Sequence, residues 1–154
     1  MSFVLRAAKV EEAQSLSVLA LRSKAYWAYS ADFMAAVADE LTLSCQQLLS
    51  EQWACQVAEG KDIVLGYALI DKTHAGQWQL DALFVEPQAI GQGVGRALMD
   101  WVKQHMAEHN ITSLIIQSDP HAEMFYLAMG AKRIGELPSA SIAGRMLPLL
   151  ELAV

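Results

Sequence analysis

The stretch 85-VEPQAIGQGVGRAL-98 places three glycines, Gly91, Gly93 and Gly95, at alternate positions. An apolar run precedes them and an apolar pattern of helical spacing follows, so they occupy a strand-to-helix junction. A helix N-terminus leaves backbone N–H groups unpaired and carries a partial positive charge. Glycines ahead of it let the backbone come close to a ligand and take up unusual dihedrals. Together these features make a site for a phosphate or pyrophosphate. The same glycines would also serve a tight turn with close helix–strand packing, and their alternation does not choose between the two. Two familiar phosphate loops do not fit. A Walker loop needs Lys and then Ser or Thr after its last glycine, whereas Gly95 is followed by Arg96 and Ala97. A dinucleotide loop follows the first strand of a βαβ unit, with an acidic residue about twenty positions on. Here several strands in meander order come first.

The elements that must position this junction are readable from the hydrophobic period. Residues 3–7 read as a first strand. Residues 11–25 read as a helix, with Leu16, Leu19 and Ala20 at helical spacing. Ser30 is placed to cap a second helix from about Ala31, with Tyr26, Trp27 and Tyr29 crowded just before it. A helical turn is expected near Gln46–Leu49. Residues 53–60 and 62–70 form a hairpin pattern turning at 59–62. In 77–87 the residues Trp78, Leu80, Ala82 and Phe84 alternate with Gln79, Asp81, Leu83 and Val85, so each set should share one strand face. By the same alternation Glu86 points away from Asp81 unless a bulge intervenes. Pro87 ends that strand. From Gly93, Val94, Ala97, Leu98, Trp101 and Val102 make one helical stripe, and Asn110 suits its stop. Residues 111–118 suit a buried strand. Asp119-Pro120 supplies a cap and a first-turn proline for a helix that runs to Met129 and ends at Gly130. Residues 131–137 and 145–152 read as the last strands, with Pro148 confining the latter to an edge or a bulge.

Composition bounds the rest. The 154 residues suit one domain, 1–154, with a real core. Apolar residues make up 54% and charged residues 18%, which argues against disorder. No apolar run approaches the ~20 residues of a membrane helix, and 1-MSFVLRAAKV-10 lacks the order of a signal peptide. Cys45 and Cys55 form no metal motif and are expected to be reduced thiols in a cytoplasm. His74, His105 and His109 lack spaced partners, so no metal site is expected. The formal net charge is −6 without a basic cluster, which argues against nucleic acid.

Residues 88-QAIGQG-93 match the pattern Gln/Arg-x-x-Gly-x-Gly/Ala. Their surroundings, 83-LFVEPQAIGQGVGRALM-99, resemble the acyl-CoA-binding motif of the GNAT superfamily of N-acetyltransferases. The opening strand and two helices are similar to that family. So is 119-DPHAEMFYLAMGAKRIGE-136, which resembles its second CoA-side segment, an aromatic–Tyr pair followed by Gly and an apolar residue; Phe125-Tyr126 and Gly130-Ala131 match it. The resemblance covers roughly residues 3–150. It implies an α/β (α+β) fold: a central mixed, mostly antiparallel sheet of about seven strands flanked by about four helices. It implies acetyl-CoA as co-substrate and direct attack by a primary amine, of a small molecule or peptide, in a ternary complex. The implied CoA-binding residues are Leu83, Phe84, Val85, Gln88, Ile90, Gly91, Gln92, Gly93, Val94, Gly95, Arg96 and Asp119. Two positions depart from the pattern. Ile90 stands where the family most often has Arg, and Asp119 where it often has Asn. Ile offers no charged hydrogen bond, and an ionised Asp cannot donate one.

Acetyl transfer to an amine requires a neutral amine, a stabilised oxyanion and a protonated leaving thiolate. By resemblance, the strand at Leu83–Val85 splays from its neighbour and presents backbone groups to the thioester. Tyr126 is the candidate acid toward sulfur; a phenol near pKa ~10 and a thiol near ~8.5 are close enough for useful transfer. The bland alternative is a half-buried Tyr on an amphipathic helix. Asp81 is the candidate for deprotonating the amine, directly or through water, and is otherwise a surface or salt-bridged Asp. His121, in the first turn of its helix, is read as solvent-facing. Tyr26, Trp27, Tyr29 and Asp32 are candidates for an acceptor pocket, with the loop 138–144 and Arg145 closing its other side. A rival reading is a non-catalytic acyl-CoA sensor on the same fold. A homodimer through strand 145–152 is a further expectation.

Overall fold

The computed structural model describes residues 2–154. The chain runs β1 (Val4–Ala7), α1 (Ala13–Ala25), α2 (Ala31–Val37), α3 (Cys45–Leu49), β2 (Trp53–Glu59), β3 (Val64–Asp71), β4 (Trp78–Val85), α4 (Val94–Glu108), β5 (Ser113–Gln117), α5 (Glu123–Ala128), β6 (Lys132–Pro138) and β7 (Met146–Ala153). One seven-stranded sheet has the order β1-β2-β3-β4-β5-β7-β6. Only β4 and β5 are parallel, because the crossover through α4 returns the chain in the same direction. Among the described residues the sheet and its flanking helices agree with the expected fold, the short α3 being the helical turn expected near Gln46–Leu49.

The helix starts follow local chemistry. The Ser30 hydroxyl accepts the Phe33 N–H at 3.1 Å. Ser44 and Gln47 cap α3 reciprocally, at 2.8 and 3.1 Å. On α4, Val94, Leu98, Met99, Val102 and Met106 are buried against the sheet, each burial stabilising by about 1.5–3 kcal/mol. Ala97 and Trp101 flank that stripe, half-buried. Asn110 ends the connection at φ 57° and Gly130 ends α5 at φ 102°, left-handed conformations that these residue types tolerate. On the opposite sheet face, Leu16, Leu19 and Ala20 of α1 pack with Val57, Tyr67 and Leu69.

Two strand expectations are corrected. The strict alternation in β4 fails. Leu69 pairs with Ala82 and Ile70 with Leu80, so Asp81 is the extra residue of a bulge. Across it the faces exchange: Trp78 and Leu80 share the α4 side with Leu83 and Val85, while Ala82 and Phe84 turn toward α1. One inserted residue shifts the period-2 pattern by one. The second correction concerns β7, which is an interior strand between β5 and β6, not an edge. Pro148 is tolerated because a residue's N and C=O point to the same side of its strand. The Pro148 carbonyl accepts from Ser118 N at 2.9 Å, beyond the last residue of β5. Its missing N–H therefore faces a place where the ladder has already ended. Over 149–151 both sides of β7 are occupied within the chain, by β5 and β6, so that part of the strand is not an edge open to a partner.

Gly66, in the middle of the sheet, allows β3 and β4 to approach closely. A Cβ there would lie 2.7 Å from the Phe84 carbonyl oxygen and 3.1 Å from a Val94 methyl.

Candidate active site

The β4–β5 ladder holds only from Trp78–Leu114 to Leu80–Ile116. The bulge at Asp81 then turns β4 away, and β5 ends at Gln117, so the sheet opens between the two strands. On the α4 side of the opening lies a groove of about 430 Å³ whose walls include Leu83, Val85, Ile90, Gly93, Arg96 and Phe125. On the other side lies a recess of about 250 Å³ whose walls include Lys24, Glu40, Asp81, Asp119 and Arg145. Ser23, Trp27, Leu83, Ala122 and Tyr126 line both, so groove and recess meet there.

The glycine junction forms one end of the groove. Gly91 and Gly93 have φ of 84° and 86°, and added Cβ atoms would meet nothing within 4 Å. These two glycines thus serve the left-handed backbone, which other residues adopt at a cost. Gly95 serves packing: its missing Cβ leaves room for the Phe125 ring, 3.2 Å away. The first intrahelical bond, Ala97 N to Gly93 O at 3.0 Å, leaves the N–H groups of Val94, Gly95 and Arg96 at the groove without helical partners. Arg96 is exposed and makes no ion pair among the described residues. Ile90 is 45% exposed at the groove wall. Gln88 and Gln92 are exposed and contact each other, Gln92 Nε2 donating to the Gln88 carbonyl at 3.3 Å, and neither lines the groove.

Tyr126 is 6% exposed. Burial first, and the Asp119 charge second, push its phenol well above the usual range, so it stays protonated at neutral pH and is a proton donor. Asp81 opens to water at the mouth of the recess while its carboxyl lies among dense neighbours. Burial, then the negative charges of Asp71 and Glu40, pushes its pKa up to about 6. It is therefore a carboxylate at neutral pH and a stronger base than an ordinary Asp.

Asp119 lies in the recess wall rather than the groove. It accepts Lys24 Nζ at 2.8 Å, Tyr29 Oη at 2.8 Å and the His121 N–H at 2.8 Å. Burial alone would raise its pKa, but the Lys24 and His121 hydrogen bonds and the Lys24 charge outweigh that and hold it below the usual carboxylate range. Arg145 donates to Tyr29 Oη at 2.9 Å, lies 3.6 Å from Asp119 and stacks over Phe33, 4.7 Å from its centroid. The Tyr29 phenol is pushed up to about 12, by burial first and then by Asp119.

The four aromatic and acidic acceptor candidates separate. Trp27 lines both cavities. Tyr29 stands behind the recess wall and braces it through Asp119 and Arg145. Tyr26 packs edge-on against Trp27 and, like Asp32, lines neither cavity. Phe84 lines the recess rather than the groove, a consequence of the Asp81 bulge. His121 is exposed, as expected, but lines the groove and stacks flat on Trp27, with centroids 4.8 Å apart and planes 2° from parallel. Sequence reasoning missed Ser23, Lys24, Glu40 and His121. Lys24 and Asp119 are ninety-five positions apart, and no local spacing announces their contact. Glu86, on the turn after β4, is buried and held by Arg22 of α1 at 2.7 and 2.8 Å, which ties α1 to the start of the glycine loop.

The mixed sheet opens between two parallel strands, with a groove on one side and a recess on the other, leaving room for two ligands to meet beside Tyr126. Residues 13–140 match the model of the acetyltransferase (GNAT) domain, and the chain belongs to that family of acetyltransferases. Its fold is similar to that of the PaiA N-acetyltransferase of Thermoplasma acidophilum in complex with coenzyme A, with TM-score 0.81, 17% identity and all of both chains covered. It is also similar to the ribosomal-protein-S18-alanine N-acetyltransferase of Escherichia coli, with TM-score 0.73, 14% identity and 99% of this chain and 94% of that one covered. YncA of Salmonella typhimurium, with its cofactor acetyl-CoA, gives TM-score 0.69, 17% identity and the same coverage, 99% and 94%. Among the described residues no helix is long and apolar enough to cross a membrane.

Proposed function

We propose that this acetyltransferase moves the acetyl group of acetyl-CoA to a primary amine of a small molecule or peptide, by direct attack in a ternary complex. The observation that carries the reading is the position of Tyr126, where groove and recess meet. The pyrophosphate belongs at the glycine junction, against the N–H groups of Val94, Gly95 and Arg96 and the Arg96 guanidinium. Those N–H groups sit in the positive field of α4, and Gly91 and Gly93 put no side chain in the way. Ile90 adds no charge there. The pantetheine follows Leu83 and Val85, whose strand has lost its β5 partner and has backbone groups to spare.

The amine enters from the recess. Asp81, directly or through water, takes the proton that its attack releases. The N–C bond forms as the C–S bond breaks, and the Tyr126 hydroxyl gives its proton to the sulfur; solvent then restores the phenol. The raised phenol pKa keeps the proton on Tyr126 at neutral pH but widens its gap to the thiol, so the transfer depends on the charge that develops on sulfur in the transition state.

The test is acetyl-CoA-dependent thiol release with a panel of amines, in wild type and Tyr126→Phe. The variant should lose about 100-fold in kcat while its acetyl-CoA dissociation constant stays within about twofold. An unchanged kcat removes Tyr126 from the chemistry.

A further inference from the structure

The charged residues of the recess fall into two groups, and that division bears on the acceptor. Asp81 and Glu40 line the wall, and neither makes an ion pair among the described residues. In the second group two cations, Lys24 and Arg145, share a single anion, Asp119. Their side chains are 13%, 18% and 15% exposed, so water does little to screen the imbalance. Asp119 is committed to Lys24, Tyr29 and the His121 N–H, which leaves Arg145 only a 3.6 Å approach to it. The guanidinium is instead positioned by neutral groups: the Tyr29 hydroxyl at 2.9 Å and the Phe33 face. Arg has five N–H donors in a planar fork. Tyr29 and a distant Asp119 use few of them, and the fork is fixed by stacking at a cavity wall. A half-buried cation with unused donors fits a carboxylate, which it can grip bidentately.

We propose that the acceptor is a small molecule carrying a carboxylate together with its amine, the carboxylate on Arg145 and the amine toward Asp81. This rests on the acetyl-transfer reading above and adds the substrate class. An amino acid or short peptide has the required pair of charges. A polyamine does not: its second ammonium would lie against Lys24 and Arg145. Arg145 is then a specificity-determining residue, and Tyr29 and Phe33 position it.

The experiment compares acceptors in matched pairs, amino acids and dipeptides against their C-terminal amides, with spermidine as the cationic control. Wild type, Arg145→Gln and Arg145→Lys are compared by kcat/KM and by thermal melting with and without CoA. Wild type should prefer each carboxylate over its amide by about 10- to 100-fold, the range of a charged hydrogen-bonded pair. Arg145→Gln should collapse that ratio toward one, mainly through KM, and Arg145→Lys should restore part of it. Spermidine preferred over every carboxylate acceptor overturns the proposal. So does an Arg145→Gln variant that loses all acceptors equally, since that marks a structural role. CoA-dependent stabilisation in wild type with no carboxylate acceptor acetylated also overturns it, leaving the cofactor reading intact. Absence of CoA stabilisation overturns the acetyl-transfer reading itself, and the proposal with it.

Discussion

Asp81→Asn should stabilise the protein while disabling it, and the stabilisation should depend on pH in a fixed direction. The Asp81 carboxyl accepts no hydrogen bond from the described residues, and it faces Asp71 and Glu40 rather than a cation. Its pKa rises from 3.8 to about 6 on folding. The sign follows from linkage. Below pH about 4 the group is protonated in both folded and unfolded chains and contributes nothing. As pH rises from there to about 6, the unfolded chain ionises first, and folding loses stability. Above about 6 the whole cost is present. A two-unit shift in a dry site amounts to about 3 kcal/mol. Asp81 is open to water at the recess mouth, and that screening leaves about 1 kcal/mol. Asn is nearly isosteric and carries no charge, so it removes the cost. For a domain of this size 1 kcal/mol moves the melting midpoint by about 2–4 °C. Melting of wild type and Asp81→Asn from pH 4 to pH 8 should therefore show a variant more stable by that amount at pH 8, with the gap closing toward pH 4. In the same protein kcat/KM should fall about 100-fold, and the rise in wild-type activity through pH about 6 should vanish. A variant that melts lower than wild type at pH 8, or a gap that does not depend on pH, would refute the claim that this carboxylate is held at a cost.

Two other substitutions probe the opening of the sheet and the glycine junction. Gly66→Ala puts a methyl 2.7 Å from the Phe84 carbonyl oxygen, a backbone atom that cannot swing aside; a loss of about 2–4 kcal/mol in urea denaturation is expected, and a neutral result would mean that β3 and β4 separate easily. Ile90→Arg adds a cation at an exposed groove position and should tighten acetyl-CoA binding about three- to tenfold at low salt. Calorimetry at rising ionic strength should erase most of that gain, and a gain insensitive to salt would remove the phosphate from that wall.

The helices, their caps and the succession of elements along the chain were legible from residue types because each is decided locally. A 3.6 period, a Ser or Asp before it and a Gly or Asn after it are all visible within a dozen residues. The left-handed turn at Gly91 and Gly93 was legible for the same reason, whereas Tyr126 was singled out by the resemblance of its segment to a family motif. Tertiary structure decided what depends on distant partners. Whether β7 lies at an edge depends on where β5 stops, and Pro148 is accommodated by that end. The bulge at Asp81 is a mismatch between two strands. It exchanges the faces of β4, moves Phe84 from groove to recess, and opens the sheet at Leu83. Lys24 and Tyr29, Asp119, and Arg145 come from three separated segments, and only folding brings them to one wall. By itself the sequence determined where the backbone turns through left-handed glycines into a helix N-terminus. The long-range contacts decided what lies opposite it, because electrostatic surroundings are set by neighbours in space and not along the chain.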